Sequence, residues 1–389
     1  MRDTVGICAP RYLDVGSGAV NDIANLLGKI GKVHNPLIVT DKVMVDIGIA
    51  GRVQKLLADA GMASDVFDKI LPDPTDEMVL AGIDVLENGK HDCVIGLGGG
   101  SPLDAGKAIA VMAKNSRDIQ DYRPPSQFNG SGLPMIAIPT TAGTGSEVTH
   151  HTVIIHNATR EKISCRGEGF VPSAAIVDFG LSLSKPRRLI ADNALDTLTH
   201  AIEAYVSRKA TLYSDRMALD CMRLVAANVE KAYNDPKDMP AREALMLAAT
   251  FGGLAFSNAS IALVHAMSRP LGSLFHVPHG MSNAMLLPTI TDYSWQAAPQ
   301  RYADCGRVLG LASADDDDMQ ACDALVAGLY EYNRRLEVPT LSRFGIDEAA
   351  YQAAMAQMAE DAVRSGAPGN NPKIADQNEI TDLYQKAWA

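Results

Sequence analysis

The chain has 389 residues, 47% hydrophobic and 21% charged, with a net charge of −11. That length suits two domains, each able to bury a core, and the acidic balance argues against nucleic acid or an anionic membrane as the main partner. The N-terminus MRDTVGICAPRYLDVG has no apolar signal core, no run approaches the roughly 18 uncharged apolar residues of a membrane span, and the six scattered cysteines form no CxxC pair. The expectation is a cytoplasmic protein with free thiols and no thiolate metal site.

The first half alternates strands and helices. Short apolar runs at 36–41, 91–97 and 134–139 predict buried strands, and helical spacing at 47–60 and 75–89 fills the gaps between them. Buried strands alternating with helices imply a parallel sheet covered on both faces. From about Arg187 onward alanine, leucine and methionine dominate long segments, and helices are predicted at 191–208, 214–233 and 239–263. The stretch 171–188, with Pro172, Gly180 and Pro186, reads as the junction. The fold class expected is therefore an α/β domain with a parallel sheet at 1–184, followed by an all-α domain at 185–389. The acidic run at 315–318 reads as a solvated loop or helix start.

Two polar loops follow strands in the first half. Gly96-Leu-Gly-Gly-Gly-Ser-Pro-Leu-Asp-Ala-Gly-Lys107 opens a helix. Its glycines would let a phosphate approach the backbone, where the helix N-terminus supplies unpaired N–H groups and a favourable dipole. The second, Pro139-Thr-Thr-Ala-Gly-Thr-Gly-Ser-Glu147, is dense in hydroxyls and glycines. Two such loops at successive strand ends would flank one crevice, where open α/β sheets bind ligands. Asp41, ending the first strand, is either the N-cap of the next helix or a carboxylate for ribose hydroxyls that repels a 2′-phosphate and so favours NAD.

The second half holds candidate metal ligands. Asp196 and His200 lie four apart and share one helix face, with Glu203 near that face to orient a ligand. His265 and His279, fourteen apart, can converge on them, although spacing alone leaves His276 as an alternative to His279.

The segments Gly98-Gly-Gly-Ser-Pro-Leu-Asp-Ala-Gly-Lys107, Pro139-Thr-Thr-Ala-Gly-Thr-Gly-Ser-Glu-Val-Thr149, Asp196-Thr-Leu-Thr-His-Ala-Ile-Glu-Ala-Tyr-Val-Ser207 and His265-Ala-Met-Ser-Arg-Pro-Leu-Gly with Pro278-His-Gly280 resemble the iron-containing (group III) alcohol dehydrogenases, in order and spacing over nearly the whole chain. The resemblance implies an N-terminal dinucleotide-binding domain and a C-terminal helical metal-binding domain, an architecture shared with dehydroquinate synthases. It implies a metal, Fe²⁺ or alternatively Zn²⁺, on Asp196, His200, His265 and His279. Cofactor contacts for NAD would match Asp41, Gly98, Gly99, Ser101, Thr140, Thr141, Thr149 and Lys162. It further implies a homodimer or larger homo-oligomer, and hydride transfer between a small primary alcohol and the nicotinamide. Three positions depart from the family pattern: Ala194 for a glycine, Asp73 for an asparagine, and Arg269 for a histidine that is a proposed proton relay.

Arginine cannot release a proton near neutral pH, so His151, matching a position that lines the family's substrate pocket, becomes the candidate relay. Arg269 itself reads either as a structural ion pair or as a clamp on an anionic substrate such as succinic semialdehyde, sulfoacetaldehyde or phosphonoacetaldehyde. The alternatives are a dehydrogenase of neutral short alcohols or diols, such as 1,3-propanediol or lactaldehyde, and a dehydroquinate synthase-like lyase.

Overall fold

A computed structural model describes residues 4–183 and 186–388. They form two compact units, one of residues 7–183 and one of residues 4–6 with 186–388. The expected boundary at 184/185 falls on residues outside those described.

The strands of the first unit are β1 (Tyr12–Val15), β2 (Pro36–Val39), β3 (Asp65–Phe67), β4 (Cys93–Gly98), β5 (Met135–Pro139), β6 (His151–His156), β7 (Glu161–Arg166) and β8 (Ala174–Val177). Six of them form one sheet in the order β1-β8-β5-β4-β2-β3, with every pairing parallel. The helices are α1 (Ile23–Ile30), α2 (Lys42–Asp46), α3 (Ile49–Asp59), α4 (Asp76–Asn88) and α5 (Gly100–Met112). Strand periodicity sends Leu37, Val39, Val94 and Ala137 to one face, against Val79 and Ile83 of α4 and Leu103 and Ile109 of α5. Ile38, Ile95, Leu97 and Ile136 go to the other, against Leu26 and Leu27 of α1 and Val53 and Leu57 of α3. Burial on both faces is why these strands are apolar without alternation. The register Val39↔Gly96 and Leu97↔Ile138 brings the ends of β2, β4 and β5 side by side, so the polar residues that follow them share one edge of the sheet.

Two expectations are corrected. The stretch 171–188 is not only a junction: it contains β8, an interior strand pairing with β1 and β5. The hairpin β6–β7 is antiparallel and was not anticipated.

The second unit is helical: α6 (Arg187–Val206), α7 (Leu212–Asn234), α8 (Met239–Ser257), α9 (Leu263–Phe275), α10 (His279–Ser294), α11 (Pro299–Val308), α12 (Asp318–Arg335), α13 (Leu341–Phe344), α14 (Glu348–Arg364) and α15 (Gln377–Ala387). Helix α6 is buried along most of its length and packs against α7, α8 and α10, which makes it the spine of this unit. The helix expected at 239–263 is two helices: α8 ends at Ser257 and α9 begins at Leu263. The acidic run caps a helix, Asp317 forming a capping box with Gln320 at the start of α12. No helix among the described residues is long and apolar enough to cross a membrane.

Candidate metal centre

Three of the four expected ligands converge. Asp196, His265 and His279 present donor atoms that all lie within 4.8 Å of one another, and both imidazole Nε2 atoms stand 3.6 Å from Asp196 Oδ1. Asp196 comes from mid-α6, His265 from the first turn of α9 and His279 from the first residue of α10. His200, one turn on from Asp196, is not part of that trio. Its ring stacks on His265 at 4.5 Å and on Phe256 at 4.4 Å. His276 is the exposed, left-handed C-cap of α9 and is not in the cluster, whereas His279 is.

Local sequence explains the convergence. Ala262, the N-cap of α9, has no side-chain oxygen to satisfy the helix's first amides. The buried Glu203 carboxylate does so from α6, accepting from the backbone N–H of Ala262 at 2.8 Å and of Val264 at 2.6 Å. It also stands 2.6 Å from His265 Nδ1, which leaves Nε2 facing Asp196. At the third element, a Cβ on Gly280 would lie 2.4 Å from the Asp192 carbonyl oxygen and 3.3 Å from Asp196 Cβ. Only glycine lets the start of α10 lie this close to α6.

The electrostatics favour positive charge. Burial alone would raise the Asp196 carboxyl, but the charges of His200 and His279 and a hydrogen bond from His265 hold it well below the usual carboxylate range. Burial alone would lower the His265 imidazole, but Glu203 and Asp196 outweigh it and carry it up to about 9. A carboxylate with imidazoles in such a field is a donor set that fits Fe²⁺ or Zn²⁺. Sequence reasoning missed Phe256 and Asn283. Asn283 lies on the α10 turn after His279, so the i, i+4 spacing was the signal that could have found it.

In the α/β unit, part of the expected cofactor set forms one ledge. A Cβ on Gly98, whose φ is +147°, would meet Pro102 at 2.7 Å and Asp41 Oδ2 at 3.5 Å. One on Gly99 would meet Thr141 at 3.3 Å, and one on Gly100 would meet Thr144 at 3.0 Å. Asp41, the glycine turn and the Thr140–Thr141 loop are therefore neighbours at the strand ends, with Ser101 in the first turn of α5. Thr140 Oγ1 is buried with no hydrogen-bond partner among the described residues, an acceptor and donor that a nucleotide can satisfy. Asp41 also caps α2, accepting from Met44 N at 3.0 Å, so both of its expected roles are compatible.

Thr149 and Lys162 each have a protein partner. The Thr149 hydroxyl accepts from Lys107 Nζ at 2.9 Å, and Lys162 on β7 pairs with Asp73 at 2.8 Å. Lys107 is fully buried and also donates to the His151 carbonyl at 2.8 Å. Burial lowers its ammonium to about 8, partly offset by Asp104 and Glu147. Asp104, one turn earlier, accepts from Ser146 Oγ at 2.6 Å and Val153 N at 2.8 Å. Lys107 and Asp104 together staple α5 to the chain that runs into β6. His151 opens β6 with its ring 4.2 Å from that of His150. Arg269 is partly exposed on α9, one turn after His265.

Residues 10–179 match the family model described as iron-containing alcohol dehydrogenase, and residues 190–388 that described as Fe-containing alcohol dehydrogenase family, C-terminal. The chain is 33% identical over 374 residues to the NAD-dependent methanol dehydrogenase of Bacillus methanolicus, covering 96% of this chain and 97% of that protein. Among solved structures it resembles a 1,3-propanediol oxidoreductase, with TM-score 0.95 and 31% identity over 99% of this chain and 100% of the other. It also resembles the sulfoacetaldehyde reductase of Bifidobacterium kashiwanohense in complex with NAD+, with TM-score 0.88 and 28% identity over 99% of both chains.

Proposed function

This chain belongs to the iron-containing alcohol dehydrogenase family, and from that premise we propose that it interconverts a small primary alcohol and its aldehyde with NAD and a divalent metal, Arg269 selecting substrates that carry an anionic group. The observation that carries the reading is the convergence of Asp196, His265 and His279 from three helices. With His200 stacked beside them, these residues would hold Fe²⁺, with Zn²⁺ as the alternative. When bound, the metal supplies Lewis acidity toward the substrate oxygen and the nicotinamide supplies the hydride acceptor or donor. The homo-oligomeric state implied by the resemblance and the cytoplasmic location expected from the scattered cysteines belong to the same proposal.

The remaining work falls to this chain's own residues. The ledge of Gly98, Gly99, Ser101, Thr140 and Thr141 binds the pyrophosphate, and Asp41 accepts from ribose hydroxyls. Thr149, held by Lys107, and Lys162 complete the cofactor set expected from the resemblance. His151 holds and releases the proton exchanged with the substrate, because the guanidinium of Arg269 cannot. Arg269 offers a permanent charge one turn from a metal ligand. The Bifidobacterium relative, a sulfoacetaldehyde reductase, supports an anionic aldehyde as a substrate class for this fold.

The test is an aldehyde panel with NADH and added Fe²⁺ or Zn²⁺, pairing succinic semialdehyde, sulfoacetaldehyde and phosphonoacetaldehyde with neutral aldehydes of matched length. A charge-assisted hydrogen bond contributes roughly 1.5–3 kcal/mol, about one to two decades in affinity. Arg269→Ala should lower the charged-to-neutral kcat/KM ratio by that factor, and an unchanged ratio overturns the clamp. A second reading, neutral short alcohols or diols, is favoured by the similarity to 1,3-propanediol oxidoreductase. It predicts that neutral substrates win in the wild type. Both matched models are of alcohol dehydrogenases, so the lyase alternative is set aside.

A further inference from the structure

Asn283 is completely buried on α10, and its side-chain amide points into the ligand cluster. Its Nδ2 lies 2.7 Å from Asp196 Oδ1, 3.2 Å from His265 Nε2 and 3.3 Å from His279 Nε2. On its other side, Oδ1 is buried with no hydrogen-bond partner among the described residues. A side chain placed for packing alone would not arrange its polar atoms this way. The NH₂ group donates to the Asp196 carboxylate and lies beside both imidazole Nε2 atoms, while the oxygen is left unsatisfied in the interior.

A divalent cation lies about 2.0–2.2 Å from oxygen and imidazole ligands. A cation held by Asp196, His265 and His279 would therefore crowd the volume into which Nδ2 now projects, and like-signed partial charge would oppose the two. The smallest rearrangement that removes the conflict is a half-turn about the terminal side-chain torsion, a soft and roughly two-fold rotor. That turn takes the NH₂ group outward and brings the unsatisfied Oδ1 to face the positive charge. The reverse orientation is disfavoured without a cation, because Oδ1 would then oppose the Asp196 carboxylate.

We propose that Asn283 is a positioning residue of the metal site with two settings. Its NH₂ group holds the Asp196 carboxylate in place beside His265 and His279 while no cation is present, and its carbonyl oxygen turns inward toward the cation when one enters. The inference rests on the reading that these ligands hold a divalent metal, and it adds a residue that governs retention of that metal.

The test uses full-length protein stripped of metal and titrated with Co²⁺, a probe whose visible spectrum reports its ligands without turnover. Release to excess EDTA and the melting temperature of the metal-free protein are recorded for wild type, Asn283→Asp and Asn283→Leu. Wild type should bind one Co²⁺ per chain. Asn283→Asp has oxygens but no donor, so its metal-free form should melt lower while Co²⁺ release slows at least about tenfold. Asn283→Leu has neither group, so release should quicken at least about tenfold with a shifted Co²⁺ spectrum, the size expected for a residue supporting metal ligands. Release rates within threefold of wild type and an unshifted spectrum in the variants overturn the role of Asn283 while leaving the metal site standing. If Asn283→Leu does not fold, the release rate of Asn283→Asp decides alone. A wild type that binds no Co²⁺ overturns the metal site and this inference together.

Discussion

Glu203 Oε2 stands 2.6 Å from His265 Nδ1, with both side chains almost wholly buried. The same carboxylate caps the first turn of α9 through Ala262 and Val264, so one residue both starts the helix and orients the ligand it carries. Glu203→Gln keeps the size but loses the charge and one acceptor oxygen. Metal affinity should fall about 10–100-fold, as for other outer partners of histidine ligands, and competition against a chromophoric chelator measures it. Affinity within threefold of wild type would show that Glu203 is a cap and nothing more.

Gly280 sets how closely α10 approaches α6. Its added Cβ would lie 2.4 Å from a backbone oxygen, that of Asp192, and a backbone atom cannot swing aside as a side chain can. Gly280→Ala should therefore displace α10 and with it His279. Overpacking of this kind costs about 1–3 kcal/mol. Thermal melts with and without added metal should show a lower melting temperature and a smaller metal-induced rise. An unchanged rise would mean that His279 keeps its place.

Particular residues explain how much could be read from sequence. The strands at 36, 93 and 135 are legible because burial on both faces leaves them uniformly apolar. β8 is not, since Ala174-Ala-Ile-Val177 is short, lies between Pro172 and Asp178, and owes its existence to pairing with strands remote in sequence. The break between α8 and α9 is hidden in an alanine- and leucine-rich run, and the carboxylate that caps the start of α9 comes from another helix. His265 and His279 were recognisable as candidate ligands by residue type and motif. Phe256 was not, because an apolar residue against an imidazole looks like ordinary core until the fold places it there.

Asp41 joins two functions that one substitution can separate. Its side chain caps α2, and its Oδ2 lies at the glycine turn where a ribose would sit. Asparagine caps helices as well as aspartate does, so Asp41→Asn should leave the melting temperature within about a degree of wild type. The lost charge should narrow the preference for NADH over NADPH by about tenfold, reflecting a repulsion of about 1.4 kcal/mol. The measurement is kcat/KM with each cofactor. An unchanged ratio together with unchanged stability would remove Asp41 from cofactor selection.

The pair His150 and Lys107 predicts a loss of stability in mild acid. Burial, then the charges of Lys107 and Arg166, lower the His150 imidazole from 6.5 to about 4. The native protein thus keeps this ring neutral where the unfolded chain would protonate it. Between those two values the unfolded state binds more protons, so stability falls as the pH drops. The contribution is fully present above pH 6.5 and is lost progressively as the pH falls toward 4. Phenylalanine at this position has no proton to bind in either state. The melting temperature of wild type should therefore fall more steeply than that of His150→Phe from pH 6.5 to 4, whatever the offset between them at pH 8. Parallel curves would mean that the ring titrates alike in both states, and the staple of Lys107 beside it would then carry no charge felt at His150.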